Sequence, residues 1–300
     1  MIATLARSRG PLVGCRTPFD DVVPLKSAAV LRCGRFSFPL AHPLIMGVVN
    51  ITPDSFSDGG QFLDRGAAIA QAWRLAEEGA HIIDLGGEST RPGAAPVTEE
   101  EELARVLPVV EELSDLCVSV DTRRPAVMQA ALDAGASMIN DVQALQAPGA
   151  VESVRESKCA VCLMHMKGEP ATMQLEPHYD DVVGEVKAFL RERVAAAEAA
   201  GIARERLVID PGFGFGKTAA HNLTLLKRLD QFADLEVPLL AGLSRKSTIG
   251  KLTGRPLGER LAGSLAMALL GLQGGATILR VHEVKETRDV IAVWEAVKAA

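Results

Sequence analysis

Asn50, Asp121, Asn140 and Asp210 each stand at the end of a short apolar run, as do Gly86-Gly87-Glu88, Met164-His165, Ser244-Arg245-Lys246, and Arg280 with His282. One polar residue after an apolar run is an ordinary turn or helix-cap residue. Eight in succession, nearly all ending in Asp, Asn, Lys, Arg or His, amount to a ligand site if the runs lie side by side. The chemistry falls into two halves. Asp121, Asn140, Asp210 and Lys246, with Met164 nearby, offer donors and acceptors to a planar heterocycle rich in N–H and C=O groups. Carboxylates grip a guanidine-like edge, while amide and ammonium groups take ring carbonyls or nitrogens. Arg280, His282, Arg91 in "ESTRPG", and Arg245-Lys246-Ser247 at the start of a helical segment suit an anion, since cationic side chains and helix N-termini bind phosphates and carboxylates.

The apolar runs are "LIMGVVN", "HIIDLGG", "CVSVD", "SMIND", "AVCLMH", "LVIDP", "VPLLAGLS" and "TILRVH", with helical segments between them. Strands alternating with helices imply a parallel sheet, and strands apolar along their whole length are buried on both faces. Eight such units fit a (β/α)8 TIM barrel better than an open sheet. In that fold the active site is built at the C-terminal ends of the strands, which is where the polar residues stand. Residues 29–40, "AVLRCGRFSFPL", alternate and turn near Cys33-Gly34, as expected of a hairpin plugging the barrel floor. Residues 1–28 read as a loosely ordered extension, and residues 29–300, without an internal linker, as one catalytic domain.

With 48% apolar residues, the 300-residue chain can bury a full core. Its net charge of −6 gives no reason to expect a nucleic-acid partner, and no apolar run reaches the roughly 18 residues of a membrane span. Five cysteines, an odd number, argue against a disulfide framework and for a reducing cytoplasm. Cys159-Ala-Val-Cys162 has C-x-x-C spacing but falls in a strand, where residues three apart face opposite ways, so the thiols should not meet. "PGFGFGKT" imitates a phosphate-binding P-loop, but Pro211 stands where the first Gly belongs. It reads instead as a flexible Gly loop placing Phe215 over the pocket. The six His lack zinc spacing, and His81, at a strand start, reads as structural.

"MGVVNITPDSFSDGG", "DLGGESTRPGA", "SVDT", "IND", "LMHM", "IDPGFGFGKT", "GLSRKSTIG" and "RVHE" together resemble dihydropteroate synthase, over roughly residues 30–300 and in that family's order. The resemblance implies condensation of 6-hydroxymethyl-7,8-dihydropterin diphosphate with 4-aminobenzoate to 7,8-dihydropteroate and diphosphate, in folate biosynthesis. It also implies a homodimer, Mg²⁺ and inhibition by sulfonamides. Carried over by residue, it assigns the pterin to Asp121, Asn140, Asp210 and Lys246, with Met164, Phe215 and Gly242 lining the pocket. Asn50 would hold the Mg²⁺ of the diphosphate, and Arg280 and His282 would bind the diphosphate, Arg280 also stacking near the pterin. Thr90 and Arg91 would belong to a second loop, Ser247 would meet the aminobenzoate carboxylate, and Phe56 would flank its ring.

An S_N1-like transfer fits these parts. The cations stabilise charge on the leaving diphosphate, and Asp58 could stabilise the electron-deficient CH₂ left on the pterin. An arylamine is already neutral at pH 7, so no strong general base is needed, and no Ser-His-Asp pattern appears. A pterin-binding methyltransferase domain would share the Asp/Asn/Asp grip but would not need "TPDSFSDGG" or "RVH". A non-catalytic pterin-binding paralogue would be expected to lose loop or diphosphate residues, and none is missing. A sugar-phosphate barrel would explain the anion half alone.

Overall fold

A computed structural model describes residues 29–51, 61–88, 97–169 and 172–300. The extension 1–28, the stretch with Phe56 and Asp58, and Thr90 and Arg91 lie outside the described residues. Two short strands, β1 (Val30–Cys33) and β2 (Phe36–Pro39), pair antiparallel across a turn at Gly34. There φ is +58°, a conformation glycine adopts without cost. Then come β3 (Leu44–Asn50), α1 (Gln61–Glu78), β4 (Ile82–Gly86), α2 (Glu99–Glu112), β5 (Val118–Asp121), α3 (Pro125–Asp133), β6 (Met138–Asp141), α4 (Ala150–Arg155), β7 (Ala160–Met164) and α5 (Val182–Ala199). β8 (Leu207–Asp210), α6 (Ala219–Lys227), β9 (Leu240–Ala241), α7 (Ser247–Thr253), α8 (Leu261–Gln273), β10 (Ile278–Val281) and α9 (Val284–Ala299) complete the alternation.

β3 to β10 form one eight-stranded parallel sheet in the order β8-β7-β6-β5-β4-β3-β10-β9, and a bridge between Ile209 and Leu239 brings the two ends together. This is the expected barrel. β9 is much shorter than the run "VPLLAGLS" suggests. Pro238 has no N–H to give the ladder, and Gly242 and Ser244 leave it to line the site.

The pleat explains why the strands are apolar throughout. Outward residues such as Ile83, Val120, Ile139 and Leu163 pack on the helices in the main core. Inward residues near the strand starts, Met46, Ile82, Met138, Val208 and Ile278, pack together with Leu31 and Cys33 of the hairpin, both fully buried. The hairpin therefore plugs the floor, as its alternation implied. Cys159 belongs to the outer core and Cys162 to the inner one, so the two thiols face apart. Two residues further along each strand the interior turns polar: Ile82 gives way to Asp84, Met138 to Asn140, Val208 to Asp210 and Ile278 to Arg280. Side chains two apart share a face, so the site stands directly on the apolar floor.

Candidate active site

Above that floor the strand ends surround a cavity of about 590 Å³. Asn50, Asp121, Gly242, Ser247, Arg280 and His282 are among its lining residues, with Phe215 and Lys246. Asn140, Met164 and Asp210 lie behind this wall, at 4%, 4% and 5% exposure. Thus every sequence-derived site residue within the described stretches is at or next to one cavity.

Arg280 joins the two halves that the sequence presented as separate. Its Nη2 donates to Asp121 at 2.9 Å and contacts Asp84 Oδ2 at 2.6 Å, while Nε donates to the same Asp84 oxygen at 2.7 Å. Asn140 Nδ2 also donates to Asp84 Oδ2, at 3.3 Å. Burial opposes the charge of Arg280, but the carboxylates of Asp84 and Asp121 more than offset it, and the guanidinium is held more firmly protonated than usual. Burial pushes the Asp121 carboxyl up, Arg280 pulls it back, and Asp84 adds to the rise. Burial likewise raises Asp210, against the Gly212 N–H, which donates to its Oδ1 at 2.7 Å, and against Lys246 and Arg280.

Asp84 was not among the residues picked out at the strand ends. The signal was present, an acidic residue inside the apolar run "HIIDLGG", but it lies two positions below the rim. Asp84 Oδ1 and Asn140 Oδ1 are buried with no hydrogen-bond partner among the described residues, which is the condition of groups built to meet a ligand or water.

The Gly-rich segment after β8 differs from the flexible loop expected. Lys217, only 2% exposed, fastens it from beneath. Its Nζ donates to His165 Nδ1 at 2.9 Å and to the carbonyls of Gly212 and Phe215, each at 3.0 Å. Gly212 and Gly216 have φ of +69° and +63°, and a Cβ on either would lie 1.9 Å from His165 O or 2.2 Å from Lys167 O. Gly214 leaves room for the Lys246 stem, whose ammonium sits 4.4 Å from the centre of the Phe215 ring. Thr218 then caps α6 by accepting from His221 N. Phe215 does face the cavity, but from a fixed platform.

On the other wall Ser244 Oγ lies 2.9 Å from His282 Nδ1 and donates to Glu283 Oε2 at 3.0 Å, which fixes the imidazole against β10. Ser247 opens α7 beside Lys246. His81 accepts from Ile45 N at 3.0 Å and meets Phe38 edge-on, the structural role expected of it.

A parallel barrel with this Asp/Asn/Asp arrangement at its strand ends defines a class, and the pterin binding enzyme family matches residues 46–282. A dihydropteroate synthase of Escherichia coli (strain K12) is 51% identical over 267 residues, 88% of this chain and 95% of the relative. The dihydropteroate synthase of Xanthomonas albilineans with 4-aminobenzoic acid superposes with a TM-score of 0.86 at 55% identity, covering 91% of this chain and 99% of that one. The same enzyme in complex with 7,8-dihydropteroate gives 0.83 at 53% identity, covering 90% and 99%. Within the pterin-binding class, the chain belongs to the dihydropteroate synthases.

Proposed function

We propose that this chain condenses 6-hydroxymethyl-7,8-dihydropterin diphosphate with 4-aminobenzoate, releasing diphosphate and 7,8-dihydropteroate. The observation that carries the reading is Arg280, set between the pterin-type carboxylate Asp121 and the cavity that also receives Lys246, His282 and Asn50. Product and aminobenzoate complexes of the Xanthomonas albilineans relative support it.

In this reading Asp121, Asn140 and Asp210 hold the pterin edge, Lys246 and Phe215 its faces, and Gly242 the pocket wall, with Met164 buried behind it. Gly242 suits this place, because a Cβ there would meet Asp210 Oδ2 at 3.8 Å and a larger side chain would cover that carboxylate. Arg280 and His282 take the diphosphate and the charge it gathers on leaving. Ser247 receives the aminobenzoate carboxylate. Phe56 keeps the role the resemblance gives it, beside the aminobenzoate ring, Thr90 and Arg91 theirs in a second loop, and Asp58 the one the S_N1-like chemistry gives it, stabilising the developing cation.

Among the described residues no three His, Cys, Asp or Glu come together as a metal cage. Mg²⁺ binds through substrate phosphates with one or two protein ligands, and the amide oxygen of Asn50, on the cavity wall, is a fitting one. When bound, the ion would neutralise charge on the diphosphate. Exposed leucines on α7 and α8, Leu252 and Leu270 among them, support a homodimer. Among the described residues no helix is long and apolar enough to cross a membrane, and free buried cysteines support a cytoplasmic enzyme.

The test is diphosphate release from the pterin substrate. It should depend on 4-aminobenzoate and be blocked by a sulfonamide competing with it. Release indifferent to both would contradict the reading.

A further inference from the structure

We infer that Asp84 is a positioning residue, which fixes the Arg280 guanidinium and the Asn140 amide as one unit so that Asp121 is free to exchange its partner for the substrate. The inference rests on the proposed function and concerns how its site is held ready.

The geometry separates two carboxylates that share one cation. Asp84 sits in the middle of β4 at 0% exposure and is not among the residues that line the cavity. Its Oδ2 receives Arg280 Nε, Arg280 Nη2 and Asn140 Nδ2 at 2.7, 2.6 and 3.3 Å. Asp121 stands two residues nearer the rim in the adjacent β5, with its side chain 17% exposed and on the cavity wall. It holds Arg280 through Nη2 alone. A bound heterocycle can take over Asp121 while Arg280 keeps both bonds to Asp84. Without Asp84, Arg280 would depend on the carboxylate the ligand needs, because a buried guanidinium must keep a counter-charge.

The charged groups facing Asp121 are Asp84 from β4, Arg280 from β10, Asp141 from β6 and Glu102 from α2. Asp210 of β8 also faces Arg280, and Lys246 faces Asp210. Removing the negative charge of Asp84 lowers the pH at which Asp121 gives up its proton. A merely structural residue would not move that limb.

The test is Asp84→Asn, which keeps the shape and removes the charge. KM for the pterin diphosphate should rise at least tenfold, KM for 4-aminobenzoate should stay within twofold, and the acid limb of kcat/KM for the pterin substrate should shift to lower pH. In an Arg280→Gln background the same change should alter kcat/KM less than twofold, since a residue acting through Arg280 has nothing left to act on. Wild-type constants and pH profile in folded Asp84→Asn would overturn the inference, as would the same fold-loss in both backgrounds. If Asp84→Asn alone fails to fold, the charge-free double variant compared with Arg280→Gln decides: a further tenfold loss overturns the proposal. A wild-type chain without turnover would contradict the proposed function instead. Calorimetric Kd values for the pterin diphosphate, wild type against Asp84→Asn, would then still decide the role of Asp84, equal values overturning it.

Discussion

Arg280 is the residue on which charge and shape meet. Under the proposed chemistry its guanidinium faces a leaving group with several negative charges, and such charge-assisted contacts outweigh neutral ones. Arg280→Ala should weaken binding of the diphosphate-bearing pterin by about 3 kcal/mol, roughly a hundredfold, and bare pterin much less. Calorimetry with the two ligands checks this, and equal weakening would remove the charge-stabilising role. Asp58→Ala should lower kcat sharply with little change in pterin-diphosphate binding, and a kcat near wild type would take Asp58 out of the mechanism. Asp121, Asn140, Asp210 and Arg280 were legible in the sequence because a barrel puts its site at strand ends, so a polar residue closing an apolar run is informative. Asp84 was not, because its importance depends on Arg280 reaching over the intervening β3 from a strand 196 positions away in sequence. No local pattern records that pairing.

At the scale of elements, the segment from Pro211 to Thr218 gains its order from one buried lysine. His165 must be neutral at Nδ1 to accept from Lys217, and burial, then the Lys217 charge, push its pKa down to about 3. Because its folded pKa lies below the ordinary value near 6.5, the unfolded chain binds a proton that the folded one refuses. The stability associated with His165 is complete above pH 6.5 and is lost as pH falls from there towards 3. Denaturant unfolding across that window should show a positive slope with pH that His165→Gln loses; an unchanged slope would exclude His165 as its source. Gly212→Ala should destabilise the fold by about 3 kcal/mol or more, because its Cβ would enter the His165 carbonyl. A variant as stable as wild type would show that the loop gives way. The sequence indicates a turn-rich loop here, but its glycines reported close packing rather than motion. Nothing in "PGFGFGKT" alone says that Lys217 points inward to His165, because that contact spans 52 positions.

For the whole molecule, the apolar floor and the polar site are successive layers of one barrel. The eightfold alternation and the hairpin plug were both readable, because strand periodicity and turn residues are local properties of sequence. That the eight units close into a barrel was readable from their number; that the closure runs through an Ile209–Leu239 bridge beside a two-residue β9 was not. Leu31, fully buried in the floor, divides stability from chemistry: Leu31→Ala should cost about 2–5 kcal/mol of folding free energy. KM values of the folded fraction should be unchanged, since the hairpin touches no ligand in this account; altered KM values would show that the floor shapes the site. The central claim is that one cavity joins a pterin to an arylamine with loss of diphosphate. It is tested most directly by incubating the purified chain with 6-hydroxymethyl-7,8-dihydropterin diphosphate, 4-aminobenzoate and Mg²⁺, and quantifying both products by mass and phosphate analysis. The expected result is 7,8-dihydropteroate and diphosphate in equal amounts, with neither formed when 4-aminobenzoate is omitted. Diphosphate released without dihydropteroate, or no turnover at all, would contradict it.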